Sequence, residues 1–189
     1  MSRQWLTFAA VTIVSCVAQV PTISQSMWET ADRQVVRLYP TAFPELPKSL
    51  VAALQRRGCT IPQVPMIAGR HNVIKGEFLK PEQTDWAVLC SVRQVSSILV
   101  FWNGSDTNPS EIAKRKDLDR LQGWDGNKIV FSSAITPVGR EYILDHYKAY
   151  GGEKPPTIDH QGINDVDYGK ASLVLYFYRG KWLHLSGAD

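Results

Sequence analysis

The chain has 189 residues, of which 44% are hydrophobic and 21% are charged, and its 21 basic and 18 acidic residues give a formal net charge of +3. This length and composition indicate one globular domain and exclude a disordered chain. The charge is too balanced for a nucleic-acid-binding protein, whose basic residues usually cluster on one face. The one basic run, Lys114-Arg115-Lys116, is followed at once by acidic residues and is interpreted as solvated surface.

Residues 1–26 are predicted to be a signal region. Arg3 precedes an apolar stretch, residues 5–14, that is too short to span a bilayer, which takes about 20 residues. The following Ile13-Val14-Ser15-Cys16 resembles the lipobox of bacterial lipoproteins, which implies cleavage between residues 15 and 16 and lipidation of Cys16. Ordinary cleavage after Ala18 or after Ser26, or an uncleaved anchor, are the alternatives. Each of them places the domain, residues 27–189, outside the cytoplasm: periplasmic, or anchored by lipid.

The first helix is predicted from a capping box, because Ser26 and Glu29 have the required spacing. Apolar residues then recur at helical intervals; they are Trp28, Ala31, Val35 and Leu38. A short strand over residues 35–38, ended by Pro40, is the alternative.

A second helix is predicted over residues 47–57, with Gly58 suited to a left-handed cap. It ends immediately before Cys59, which leaves Cys59 and Cys90 as a pair once Cys16 is assigned to the signal region. In an oxidising compartment this pair predicts a disulfide. Its loop of about 30 residues would stabilise the fold by roughly 3–4 kcal/mol.

The central segment, residues 72–102, is predicted to contain three strands, after a connecting loop over residues 61–70. The strands are expected over residues 73–78, 86–92 and 97–102, with a turn over residues 80–84. Residues 97–102 show no polar alternation, which indicates a strand covered on both faces.

Two resemblances arise from this segment. Gly76-Glu77-Phe78 with Asp85-Trp86-Ala87-Val88 resembles the hairpin of FG-GAP propeller repeats, in which loop aspartates bind calcium. Here the loop reads Leu-Lys-Pro-Glu-Gln-Thr and the repeat does not recur, so neither a propeller nor calcium is implied. More broadly, residues 43–189 resemble uncharacterised exported bacterial proteins that share Arg57-Gly58-Cys59, Ile61-Pro62-Gln63, this hairpin and a tryptophan-bearing terminal hairpin. That resemblance implies no activity.

The second half of the chain is predicted to contain two helices and a closing hairpin. A polar helix with a broken apolar stripe is expected over residues 109–122, followed by a turn at 123–127 and a short strand at 129–131. Thr136 and Pro137 predict a helix start, and Gly151-Gly152 its end. Residues 171–178 and 181–185 form the hairpin, with Phe177 opposite Trp182 and Leu175 opposite His184.

The richest candidate site is the segment 159–167, expected to be a loop. It offers an imidazole and several carboxylates, which could hold calcium or another hard divalent cation; the residues are Asp159, His160, Asp165 and Asp167. The segment does not match the EF-hand register. The alternative is that these side chains bond neighbouring backbone groups and shape the turn.

No catalytic residue is predicted. The sequence contains no His-x-x-x-His pair and no Gly-x-Ser-x-Gly elbow. His146 is interpreted as a packed side chain and His184 as a core or rim residue. Tryptophan and tyrosine suit sugar or peptide contacts, so Trp124, Tyr168 and Trp182 are the candidate ligand contacts.

The sequence therefore predicts an α+β domain with a single, largely antiparallel sheet of five or six strands, two or three packed helices and one disulfide. The favoured function is a non-enzymatic envelope or periplasmic binding or interaction module without a cofactor. Its partner would be an envelope sugar, a peptide or another envelope protein. A metal-assisted hydrolase using Asp159, His160, Asp165 and Asp167 is the alternative.

Overall fold

The computed structural model describes residues 23–126 and 128–188. The predicted signal sequence up to residue 22, with the lipidation at Cys16, lies outside the described residues, as do the predicted cleavage positions after residues 15 and 18. The third predicted cleavage position, after Ser26, lies within the first helix.

Within these residues the chain forms three helices and twelve strands, and all strand pairs are antiparallel. The helices are α1 (Ile23–Gln34), α2 (Lys48–Arg56) and α3 (Arg140–Tyr150). The strands are β1 (Arg37–Leu38), β2 (Ile61–Pro62), β3 (Val73–Gly76), β4 (Asp85–Val92), β5 (Val95–Phe101), β6 (Ser110–Lys116), β7 (Leu121–Trp124), β8 (Lys128–Phe131), β9 (Ser133–Val138), β10 (Gly162–Asp167), β11 (Ala171–Tyr178) and β12 (Lys181–Ser186).

The predicted single sheet is wrong. The strands form two four-stranded sheets, in the orders β3-β4-β5-β6 and β9-β10-β11-β12, and two two-stranded pairs, β1-β2 and β7-β8. Side chains from both larger sheets meet in one apolar core, to which Leu89 and Ile98 contribute from the first and Ile135 and Ile163 from the second. No helix among the described residues has the length and apolar character needed to cross a membrane.

The two interior strands of the first larger sheet, β4 and β5, are buried on both faces, as the apolar run of residues 97–102 predicts for β5. Successive residues of a strand point to opposite faces, and in β4 Ala87 and Leu89 enter the core shared with the second sheet. Val88 and Cys90 enter a second core on the other face, under α2. Two layers of packing therefore hold β4 in place.

Helix α2 and its disulfide are confirmed. The helix buries Leu50 and Leu54 against the sheet, and Gly58 adopts the left-handed conformation expected of its cap, with φ of +69°. Cys59 then forms a disulfide with Cys90 of β4, and their Cα atoms are 5.5 Å apart.

The predicted start of the first helix is wrong, because α1 already includes Ser26. It ends at Gln34. The alternative prediction of a strand over residues 35–38 is confirmed only for Arg37–Leu38, which form β1 and pair with β2. The predicted loop over residues 61–70 therefore begins with a strand, β2.

The predicted helix over residues 109–122 is also wrong; this segment contains β6, a short 3₁₀ turn over Asp117–Arg120 and β7. Ile112 lies opposite Ile98 of β5, and the register shifts beside it. Ala113, with φ of +52°, stands at this irregularity. The bulge interrupts the two-residue alternation of the strand and leaves an apolar stripe that looks helical.

Thr136 and Pro137 do not start a helix but belong to β9. Strand β9 is at the edge of its sheet, where proline is tolerated because no ladder partner needs its missing N–H. Helix α3 begins at Arg140, after Gly139. The closing hairpin is confirmed with its register, Phe177 opposite Trp182 and Leu175 opposite His184.

Candidate ligand groove

The segment expected to be a metal-binding loop is mostly a strand, so that prediction of its structure is wrong. Residues 162–167 form β10, which lies between β9 and β11. Asp165 and Asp167 share one face of this strand, since alternate residues point the same way. His160 precedes Asp165 by five residues, which is about 16 Å in extended chain, whereas ligands of calcium lie about 2.3–2.6 Å from the ion. The structure therefore separates the candidate ligands into two pairs.

The first pair, Asp165 and Asp167, is held by two arginines. Arg120 is fully buried and donates from Nη1 to Asp165 Oδ1 over 3.2 Å. Arg115 donates from Nη2 to Asp167 Oδ1 over 2.9 Å, and Ser133 Oγ donates to the same oxygen over 2.7 Å. Burial lowers the pKa of Arg120, and the charge of Asp165 opposes that change. These carboxylates therefore neutralise buried or half-buried arginines.

The second pair, Asp159 and His160, contacts Tyr176. The His160 ring stacks on the Tyr176 ring with centroids 4.4 Å apart, and the tyrosine hydroxyl donates to Asp159 Oδ1 over 3.2 Å. Burial raises the pKa of Tyr176. Within residues 23–126 and 128–188, no three His, Cys, Asp or Glu side chains are grouped closely enough to hold a metal ion. The geometry gives the metal-assisted hydrolase no support.

Two of the three aromatic candidates lie together. The rings of Trp124 and Tyr168 are 6.1 Å apart, beside a shallow cleft between the β7–β8 turn and the β10–β11 turn. A Cβ atom at Gly169 would lie 2.9 Å from the Trp124 ring, so this tryptophan is packed closely on that turn. Trp182 lies elsewhere and stacks on Trp102 at 5.8 Å. Packing accounts for much of the surface of both tryptophans.

A further apolar surface lies in a region that the sequence did not single out. Helix α1, the loop 63–71 and strand β8 surround a groove of about 820 Å³, a volume within the range of about 300–1,000 Å³ that ligand pockets occupy. We call it the groove. Its lining residues are Met27, Thr30, Ala31, Gln34, Val35, Val36, Leu38, Gln63, Val64, Pro65, Ile67, Gly69, Arg70, His71, Lys128, Ile129, Val130 and Phe131.

The walls and floor of the groove are mainly aliphatic. Helix α1 presents residues at positions 27, 30, 31 and 34, which is the spacing of one helix face. Val64 and Phe131 are each 1% exposed and belong to the core. Met27 and Val36 remain 50% and 62% exposed. A groove with a packed floor and exposed apolar walls is typical of a site for an apolar ligand.

The polar side chains beneath the groove, Gln63 and His71, form hydrogen bonds with backbone groups. The amide of Gln63 donates to the carbonyls of Ile61, Pro62 and His71, and its oxygen accepts the His71 N–H. The Val64 N–H donates to His71 Nε2 over 2.7 Å, so Nε2 is unprotonated and Nδ1 donates to the Gly69 carbonyl. Burial lowers the pKa of His71. The loop is thereby fixed, and its histidine is neutral.

The charges along the groove have one sign. Arg70 and Lys128 are the charged lining residues, and no carboxylate is among the described residues that line it. The nearby carboxylate of Asp32 is directed to Arg37 instead. The groove is therefore apolar inside and positively charged at its edge.

Sequence reasoning missed this site because its elements are far apart in the chain and irregular. His71 has no interpretable context in the sequence, and the segment 61–70 reads only as a connecting loop. One signal was present: Val64, Met66 and Ile67 are apolar residues in a loop, where apolar side chains need a partner. The helical spacing of Met27, Ala31 and Gln34 is the other.

Comparison with known proteins does not identify the site. No protein-family model matches the chain, and no curated protein or solved structure matches it significantly.

Proposed function

We propose that this protein is a non-enzymatic binding module of the cell envelope or periplasm, and that the groove holds the apolar chain of a small ligand. The observation that carries the proposal is the groove itself: about 820 Å³ of open space lined mainly by aliphatic side chains above a packed floor. Removing apolar surface from water lowers the free energy by about 25 cal/mol per Å². An aliphatic ligand of moderate size would therefore bind without strong polar contacts.

Binding is favoured over catalysis because of the state of the polar groups. His71 uses both ring nitrogens for backbone contacts, and the Gln63 amide makes four hydrogen bonds to backbone atoms. A general base needs a free acceptor within reach of its substrate. These groups support the loop and leave the groove walls to contact the ligand.

Signs of export, in residues 1–26 and in the disulfide, support the same proposal. The sequence of residues 1–26 has the pattern of a signal region. The Cys59–Cys90 disulfide is consistent with an oxidising compartment. A periplasmic or lipid-anchored location would place the groove where envelope components are available.

The proposal is tested by titrating the full chain with Nile red, a neutral apolar dye whose fluorescence rises in apolar surroundings. Wild-type protein should bind the dye in a saturable manner. Ala31→Trp should weaken binding at least tenfold, because the indole fills the groove from the α1 wall. Glu29→Trp is the matched control: it adds the same side chain on the exposed face of α1 and should bind as wild type does.

A second experiment identifies the occupant. A photo-reactive benzoylphenylalanine at Met27, on the rim of the groove, should label an added alkyl compound. Cross-links to residues 1–22 or to a second copy of the chain would show that a protein segment covers the groove, and would overturn the small-ligand proposal. Equal dye binding by wild type and Ala31→Trp would also overturn it.

A further inference from the structure

We infer that the ligand of the groove is an anionic single-chain amphiphile, whose alkyl chain lies along the apolar walls and whose negative head group lies between Arg70 and Lys128. This inference rests on the proposed function and adds the chemical class of the ligand. It assigns Arg70 and Lys128 as specificity-determining residues.

The charge of the groove is the first argument. Arg70 and Lys128 line it from two different elements, the loop 63–71 and the start of β8, and both are exposed. The other lining residues are uncharged, given the neutral state of His71. A negative head group would meet two cations there, whereas a cationic one would be repelled.

The lack of an ion pair at the two lining cations is the second argument. Arg37, Arg115 and Arg120 each form ion pairs with aspartates. The ion pairs among residues 23–126 and 128–188 include neither Arg70 nor Lys128. These two cations at the apolar groove are thus available for a ligand.

The shape of the site favours a single molecule over a membrane surface. The apolar face of α1, with Met27 and Ala31, points into the groove and toward β8. A helix that docks on a membrane turns its apolar face outward, into the lipid. A concave site of this volume instead encloses one chain taken up as a monomer.

The inference is tested with three compounds of equal chain length: dodecanoate, dodecanol and dodecyltrimethylammonium. The two ions are used below their micelle concentrations and dodecanol below its solubility limit. Their displacement of Nile red from the full chain is measured at low salt. Dodecanoate should bind about twofold to thirtyfold more tightly than dodecanol, since two exposed charge pairs together contribute about 0.4–2 kcal/mol. Dodecyltrimethylammonium should bind more weakly than both. The preference should disappear near 1 M salt, where the screening length is about 3 Å.

The variant Arg70→Gln with Lys128→Gln should bind dodecanoate and dodecanol equally. Arg57→Gln with Lys80→Gln is the matched control, since it removes the same two charges from exposed positions outside the groove and should keep the preference. Far-UV circular dichroism should show that both variants are folded as wild type is.

Each other outcome has a defined meaning. Equal binding of dodecanoate and dodecanol by wild type, or a preference that survives in Arg70→Gln with Lys128→Gln, overturns the inference and leaves the proposed function standing. Binding to vesicles of anionic phospholipid without any binding of monomeric dodecanoate overturns it in favour of a membrane surface. Failure of Nile red and all three compounds to bind overturns the proposed function itself.

Discussion

Two neighbouring regions at α1 differ in whether their side chains have partners inside the protein. In the first, the fully buried Asp117 accepts hydrogen bonds from Ser91 (2.6 Å), Ser96 and Arg37 (2.8 Å), and Arg37 also bonds Asp32. We call these residues the Asp117 cluster.

The second region is the groove. Its aliphatic walls remain exposed, and Arg70 and Lys128 have no ion-pair partner among the described residues.

The difference separates scaffold from site. A buried carboxylate with all its partners inside the protein contributes to folding and has no capacity left for a ligand. Open apolar walls and exposed cations lower the free energy only when something else covers them. The Asp117 cluster fixes α1 against the first sheet, and α1 in turn forms a wall of the groove. The comparison therefore predicts large stability effects in the cluster and small ones in the groove.

The largest effect is expected from Asp117→Ala. It leaves the Arg37 guanidinium with one of its two carboxylate partners and removes the acceptor of Ser91 and Ser96. Breaking a buried ion pair from one side costs about 3–5 kcal/mol. Urea denaturation should show a loss of this order. Asp119→Ala, at an exposed carboxylate two residues away, is the control and should change stability by less than about 0.5 kcal/mol; similar losses in both variants would contradict the scaffold assignment.

A somewhat smaller effect is expected from removing the disulfide. Cys59→Ala with Cys90→Ala opens a loop closed across 31 positions and should lower the free energy of unfolding by about 2–4 kcal/mol. Both cysteines lie in the core under α2, on the opposite face of β4 from the core that carries the groove floor. Nile red affinity should therefore be unchanged at temperatures where the variant is folded. A variant that loses dye binding while folded would show that the two faces of β4 are coupled.

The sequence was sufficient to predict an element where the local pattern and the tertiary packing favour the same structure. The closing hairpin was predicted with its register, because alternating aromatic residues flank a two-residue turn at Arg179 and Gly180. Helix α2 and its disulfide followed from Gly58 and the cysteine count. The buried strand β5 followed from an apolar run without polar alternation.

Prediction failed where partners far away in the chain override a local pattern. Thr136-Pro137 has the composition of a helix start, but β10 needs a strand beside it, and Thr136 pairs with Asn164. The bulge at Ala113 made β6 resemble a helix. Asp165 and Asp167 looked like metal ligands because their arginine partners lie about fifty residues earlier. The groove was missed for the same reason: its three walls are brought together by tertiary packing alone.

The smallest effect on the free energy of unfolding is expected at His71, in the loop 63–71 that lines the groove. Burial lowers the pKa of His71 in the folded protein, while the unfolded chain has an ordinary histidine pKa of about 6.5. The unfolded chain therefore takes up a proton first as the pH falls, so the stability contributed by neutral His71 is present above about pH 6.5 and is lost below it. Protonation would also break the bond from the Val64 N–H to Nε2. Urea denaturation should show a larger loss of stability between about pH 7 and pH 5 for wild type than for His71→Gln.

The control is His184→Gln, at an exposed histidine of β12, which should keep the pH dependence of wild type. An equal pH dependence in wild type and His71→Gln would show that the stability of the loop does not depend on the neutral ring.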